Sequence, residues 1–80
     1  MKREEKTFQF TLVLKNANKN TAKLEDNLYK AGCDDALINF RNGTVYLDFD
    51  RKAFSFEEAV RSAINQVESS SLDIFAEKVH

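Results

Sequence analysis

The chain has no proline, two glycines, one cysteine and one histidine in 80 residues. Each shortage removes something. With proline absent and glycine this sparse, no stretch reads as a linker or a low-complexity tract. A lone cysteine excludes an internal disulfide and a cysteine-based zinc site, and it suits a reducing compartment. No apolar run approaches the roughly 20 residues of a membrane span. The opening MKREEK is not followed by the hydrophobic stretch of a signal peptide. An excess of one charge is missing as well. Twelve basic and thirteen acidic side chains leave a formal net charge of −1. That removes the positive field behind sequence-independent nucleic-acid binding. These absences describe a cytoplasmic chain forming a single domain over residues 1–80, with residues 1–6 as a solvated tail. Its core must be thin, because a chain this short buries only roughly 60–65% of the surface it exposes when unfolded.

What is present is led by Ala36 to Asp50, a β-hairpin turning at Asn42-Gly43. Asn-Gly is the dipeptide that best tolerates the two positive φ angles of a type I′ turn. A two-residue turn there sets Arg41 opposite Thr44, Phe40 opposite Val45, Asn39 opposite Tyr46, Ile38 opposite Leu47, Leu37 opposite Asp48 and Ala36 opposite Phe49. Alternation then gathers Phe40/Val45, Ile38/Leu47 and Ala36/Phe49 on one side. The other side is mostly polar. Turn chemistry and hydrophobic pattern select the same register, and a slip of one residue breaks both.

The remaining elements follow from the same rules. Thr7 to Lys15 alternates as a strand, with Phe8, Phe10, Leu12 and Leu14 on its buried face. Thr21 is placed to cap a helix running to about Ala31, with Gly32 stopping it in a left-handed turn. Ser55 and Glu58 form a capping box. Phe56, Ala59, Val60, Ala63, Ile64 and Val67 then repeat at spacings of three and four, an amphipathic helix whose apolar face belongs to the domain's own core. Leu72 to Val79 is a last strand, with Leu72, Ile74 and Ala76 facing the core and Phe75 facing away. The order β-α-β-β-α-β predicts an α+β ferredoxin-like sandwich: a four-stranded antiparallel sheet with both helices on one face and strands one and three in its centre.

That architecture leaves the other sheet face open. Val13 and Tyr46 fall at its centre and Leu37 and Phe75 nearer its edges, and the four are more apolar than a solvated face requires. An uncovered apolar face usually packs against something. These four residues are the expected interaction face, and a homodimer or a protein partner is the expected occupant.

Several sharper chemistries are weaker than their bland alternatives. Cys33-Asp34-Asp35 lacks the converging ligands of a metal site, so Cys33 reads as a small buried residue and the aspartates as loop or strand-entry groups that stay hydrated. Asp48 and Asp50 lie about 7 Å apart on one face of a strand, yet no nucleophile or base accompanies them, and they read as surface charge. Lys19, Lys23 and Lys30 line one helix as a solvated stripe. The strand around Tyr46 matches only part of an RNA-recognition signature and places Asp48 and Asp50 beside its single stacking ring, so an RNA-binding module ranks below the other readings. The loop KNANKN after the first strand has neither the glycine nor the arginine of an acylphosphatase-like phosphate cradle. No catalytic residue, metal or cofactor is expected.

Ala31 to Glu68 also resembles a known family. The runs AGCDDAL, GTVYLDFDR and S-x-E-E-A-V-x-S-A-I-x-x-V-E, with the strand FTLVLK before them, are similar to the N-terminal part of small bacterial helix-turn-helix DNA-binding proteins. In such proteins a helix-turn-helix segment follows the last strand. The residues to His80 include none of it, so DNA binding carries over to no residue present. The resemblance implies an accessory or assembly domain of a regulator. The expected function is therefore a non-enzymatic interaction and oligomerisation domain, self-associating through its open sheet face or an edge strand. A small-molecule-sensing domain is the alternative, since ferredoxin-like sheets host unrelated functions.

Overall fold

The computed structural model describes residues 4–17, 23–70 and 74–80. Along the chain run β1 (Lys6–Lys15), α1 (Leu24–Lys30), β2 (Ala36–Arg41), β3 (Thr44–Ala53), α2 (Phe56–Glu68) and β4 (Phe75–Val79). Asn42 and Gly43 take φ of 50° and 80°, the pair of positive angles a type I′ turn needs. From that turn the ladder runs from Arg41 opposite Thr44 to Ala36 opposite Phe49, the register that the hydrophobic pattern selects. β1 pairs antiparallel with the other side of β3, and β4 with the other side of β1. The sheet order is β2-β3-β1-β4, the ferredoxin-like βαββαβ arrangement.

One face of the sheet holds the core. Phe10, Leu12 and Leu14 of β1 meet Val45, Leu47 and Phe49 of β3 there, and all six are buried. Phe10 and Phe49 are cross-strand partners whose rings stack at 5.2 Å. α1 contributes Leu24 and Leu28 to this cluster, and α2 contributes Ala59, Ala63 and Val67. The two alanines let α2 seat close to the sheet. Ser55 starts that helix as expected, its Oγ accepting the Glu58 N–H at 3.1 Å.

The boundaries differ from the sequence reading in ways that bear on function. β1 takes in Lys6, the last residue of the expected tail; Met1–Arg3 lie outside the described residues. Thr21, the expected cap of α1, also lies outside them. Lys23 holds the capping position with φ 54° and no side-chain cap. β3 continues past Asp50 to Ala53. β4 begins at Phe75, with Ile74 buried before it and Leu72 outside the described residues. A register shift between Val13 and Leu14 sets Lys78 opposite Val13 but Ala76 opposite Leu14. This bulge reverses the later alternation, so Val79 pairs with Leu12 and lies toward the helices.

Candidate functional site

Continuing the buried alternation Val45, Leu47, Phe49 by one step puts Arg51 on the core side of β3. Its side chain is 8% exposed. A buried guanidinium is costly unless its donors are satisfied and its charge is paired. Here both conditions hold. Nε donates to Asp35 Oδ2 and Nη2 to Asp35 Oδ1, each at 2.8 Å, in the two-pronged geometry that suits arginine to carboxylate. Nη2 also donates to the Gly32 carbonyl and Nη1 to Ser62 Oγ, both at 3.1 Å. The guanidinium carbon lies 5.0 Å from the centre of the Phe49 ring. The hydrogen bonds to Asp35 outweigh burial and raise the Arg51 pKa, so the charge is permanent.

This clasp ties the α1–β2 loop to β3 and α2. Gly32 has φ +108°, and a Cβ there would stand 2.5 Å from Gln66 Nε2 of α2. The loop therefore requires glycine for conformation and for space. Gly32 and Asp35, Arg51, and Ser62 come from the three separate runs AGCDDAL, GTVYLDFDR and the α2 segment, which the fold brings to one place. Sequence reasoning missed it. Asp35 stands at the entry to β2, and its partly exposed carboxylate is taken up by the buried Arg51 rather than left to water alone. The signal was the parity of Arg51, two residues beyond Phe49, hidden by ending the strand at Asp50.

The clasp holds the fold without assembling catalytic groups. Cys33 is buried, and desolvation pushes its thiol up to about 11 despite the opposing charge of Arg51. A thiol in that state is a poor nucleophile. Outside the clasp is a shallow hollow of about 520 Å³ bordered by Asp34, Asp50 and Lys52. Among the described residues no group of three or more His, Cys, Asp or Glu side chains is placed to hold a metal.

All four residues expected on the open face lie on it, but they form no continuous apolar patch. Leu37 lies on β2 and is 72% exposed; Phe75 lies on β4 and is 44% exposed. These are opposite edges of the sheet, with β3 and β1 between them. Tyr46 is half-buried beneath Arg41, whose guanidinium carbon is 5.7 Å from the ring centre. Val13, between Tyr46 and Lys78 in the two ladders, is only 7% exposed. The centre of the face is polar. Asp48 accepts hydrogen bonds from Thr11 Oγ1, at 2.6 Å, and from Asn39 Nδ2. Both its oxygens are engaged by side chains, so its carboxylate serves the sheet.

Further exposed apolar surface lies along the two flanks. Beside β4, Phe56, Val60, Ile64 and Val79 line a groove of about 470 Å³ between that strand and α2. Phe56 is not wholly in the core: it is half exposed, its ring edge-on to Phe8 and Phe10. Beside β2, the exposed large apolar residues are Tyr29, Leu37 and Phe40. The two strand edges differ. On β4 the Ala76 N–H donates to Glu68 Oε2 at 3.2 Å, and Glu77 and Lys78 add charge, the usual devices that guard an edge. On β2, Arg41 at the turn end is the single charged residue, and Ala36 to Phe40 carries no charge and no proline.

No protein-family model, no curated protein and no solved structure matches the chain. The resemblance to the helix-turn-helix proteins rests on the runs quoted above. No helix among the described residues is long and apolar enough to cross a membrane.

Proposed function

We propose that this domain is a non-catalytic interaction and oligomerisation module, accessory to a bacterial transcriptional regulator. The observation that carries the reading is the placement of its exposed large apolar side chains. Most border the two long flanks of the sandwich, Tyr29, Leu37 and Phe40 beside β2 and Phe56, Phe75 and Val79 beside or on β4; Phe54 lies apart, between β3 and α2. Among them Phe56 also packs on the core, its ring edge-on to Phe8 and Phe10, while apolar surface left exposed in this way marks sites of interaction. The most heavily hydrogen-bonded polar groups, Arg51, Asp35 and Asp48, are engaged by one another or by neighbouring side chains. They are arranged for structure and offer no nucleophile with a base beside it. The regulator role is supported by the resemblance of Ala31 to Glu68.

Static light scattering of the chain across a wide concentration range tests the reading. The expected result is a mass above the monomer that grows with concentration. A monomer at every concentration overturns self-association.

A second reading, small-molecule sensing, is favoured by the volume and apolar lining of the α2–β4 groove, which falls within the size of ligand pockets. A thermal-shift screen of amino acids and nucleotides checks it; a screen without a stabilising compound counts against it.

A further inference from the structure

The β2 edge carries its own template for a partner. The Asp50 N–H donates to the Asp35 carbonyl at 3.1 Å, which fixes the parity of the β2–β3 ladder. Asp35, Leu37, Asn39 and Arg41 exchange hydrogen bonds with β3. Ala36, Ile38 and Phe40 therefore turn their N–H and C=O groups outward, and among the described residues nothing pairs with them. This edge is open where β4 is guarded.

We propose that the occupant of this edge is a second copy of the same strand, paired antiparallel about a two-fold axis at Ile38. The proposal rests on the oligomerisation reading above and specifies its interface. Two features of Asp34 to Arg41 select a copy of itself. The first is charge. The segment begins with Asp34-Asp35 and ends with Arg41. Two-fold pairing is necessarily antiparallel, so it sets the acidic start of each strand against the basic end of the other. Centring on Ile38 puts Arg41 beside the partner's Asp34, which is exposed, at both ends of the interface; the partner's Asp35, directly opposite Arg41, already gives both carboxylate oxygens to Arg51 of its own chain. Centring one residue later moves Arg41 opposite the partner's Leu37 and loses the match.

The second feature is shape. On the helix side this register sets Ile38 against the partner's Ile38 and the small Ala36 against the large, half-exposed Phe40. Tyr29 borders the same hollow as Ala36 and Ile38, so its exposed ring extends the apolar contact along α1. The outward groups of Ala36, Ile38 and Phe40 meet those of Phe40, Ile38 and Ala36. Each of these bonded pairs exchanges two hydrogen bonds, and the two sheets become one continuous sheet of eight strands.

Sedimentation equilibrium on four variants tests the register. Phe40→Pro removes one outward N–H and leaves the β2–β3 bonds in place; it should raise the dimer dissociation constant at least tenfold. Arg41→Asp and Asp34→Arg alter exposed side chains, so they test the interface without threatening the fold. Each alone should weaken the dimer, and the two together should restore it toward the wild-type value. A dimer indifferent to all four variants overturns this interface while leaving the oligomerisation reading intact. A wild type that stays monomeric overturns both.

Discussion

Arg51 and Asp35 stand 16 residues apart and share two parallel hydrogen bonds of 2.8 Å. That pair fastens the loop between α1 and β2 onto the sheet, and so fixes where the β2 edge begins. The same arginine reaches Gly32 and Ser62, so one side chain joins a loop, a strand and a helix.

Removing one partner of such a pair leaves the other charge poorly compensated. Breaking a buried ion pair costs about 3–5 kcal/mol, while replacing both partners with apolar residues is often close to neutral. Asp35 retains some contact with water, its side chain being 29% exposed, so the lower end of that range applies. Arg51→Ala should therefore lose about 3 kcal/mol in urea unfolding. The double variant Arg51→Met with Asp35→Leu should lose less than Arg51→Ala alone. A single variant within about 0.5 kcal/mol of wild type, the usual span of surface substitutions, contradicts the clasp.

Cys33 gives the domain a defined alkaline limit. Its folded thiol titrates near 11 and its ordinary value is 9.0, so the folded state holds a proton that the unfolded chain releases first. The contribution is fully present below pH 9 and is lost as pH rises toward 11, by at most about 1.4 kcal/mol per pH unit. Comparing wild type with Cys33→Ala across that window isolates it: the difference in stability should change with pH above 9 and be flat below. In the native protein, alkylation at pH 8 should be slow and should become fast in denaturant.

Much of this was legible in the chain. Asn42-Gly43 and the alternation on either side specify one register between them, which is why every pair of the β2–β3 hairpin could be written down beforehand. Ser55 and the spacing of Ala59, Ala63 and Val67 do the same for α2. Three features were not legible because they depend on what lies across the sheet. Arg51 looks like a surface charge until Asp35 is brought under it. Val79 reaches the helix side only because the bulge at Val13/Leu14 shifts the β4 register. Val13 looks exposed by parity, yet it lies between Tyr46 and Lys78.

The two glycines should respond differently to alanine. Gly43 has φ +80° with nothing within 4 Å of an added Cβ, so Gly43→Ala carries backbone strain alone, about 1–2 kcal/mol. Gly32→Ala adds a collision with Gln66 to the same strain and should cost more. Gln66→Ala in the Gly32→Ala background should recover part of the loss. Equal losses at the two positions in thermal unfolding would contradict the close approach of α2.

Val13 and Leu37 separate folding from association. Val13→Asp places a charge at a buried position and should destabilise the fold by about 2 kcal/mol or more. Leu37→Asp alters a side chain that is 72% exposed and should leave thermal stability within about 0.5 kcal/mol of wild type under dilute, monomeric conditions. Circular dichroism melts of the two variants check this ordering, and the reverse order would contradict it.

The central claim is that copies of this domain meet along β2. Residue-resolved amide hydrogen exchange, measured at low and at high protein concentration, tests it most directly. In dilute solution Leu37, Asn39 and Arg41 should be protected by β3, while Ala36, Ile38 and Phe40 exchange quickly. At high concentration the same three fast amides should become protected together. If they still exchange quickly at concentrations where the mass has doubled, the copies meet elsewhere and the claim fails.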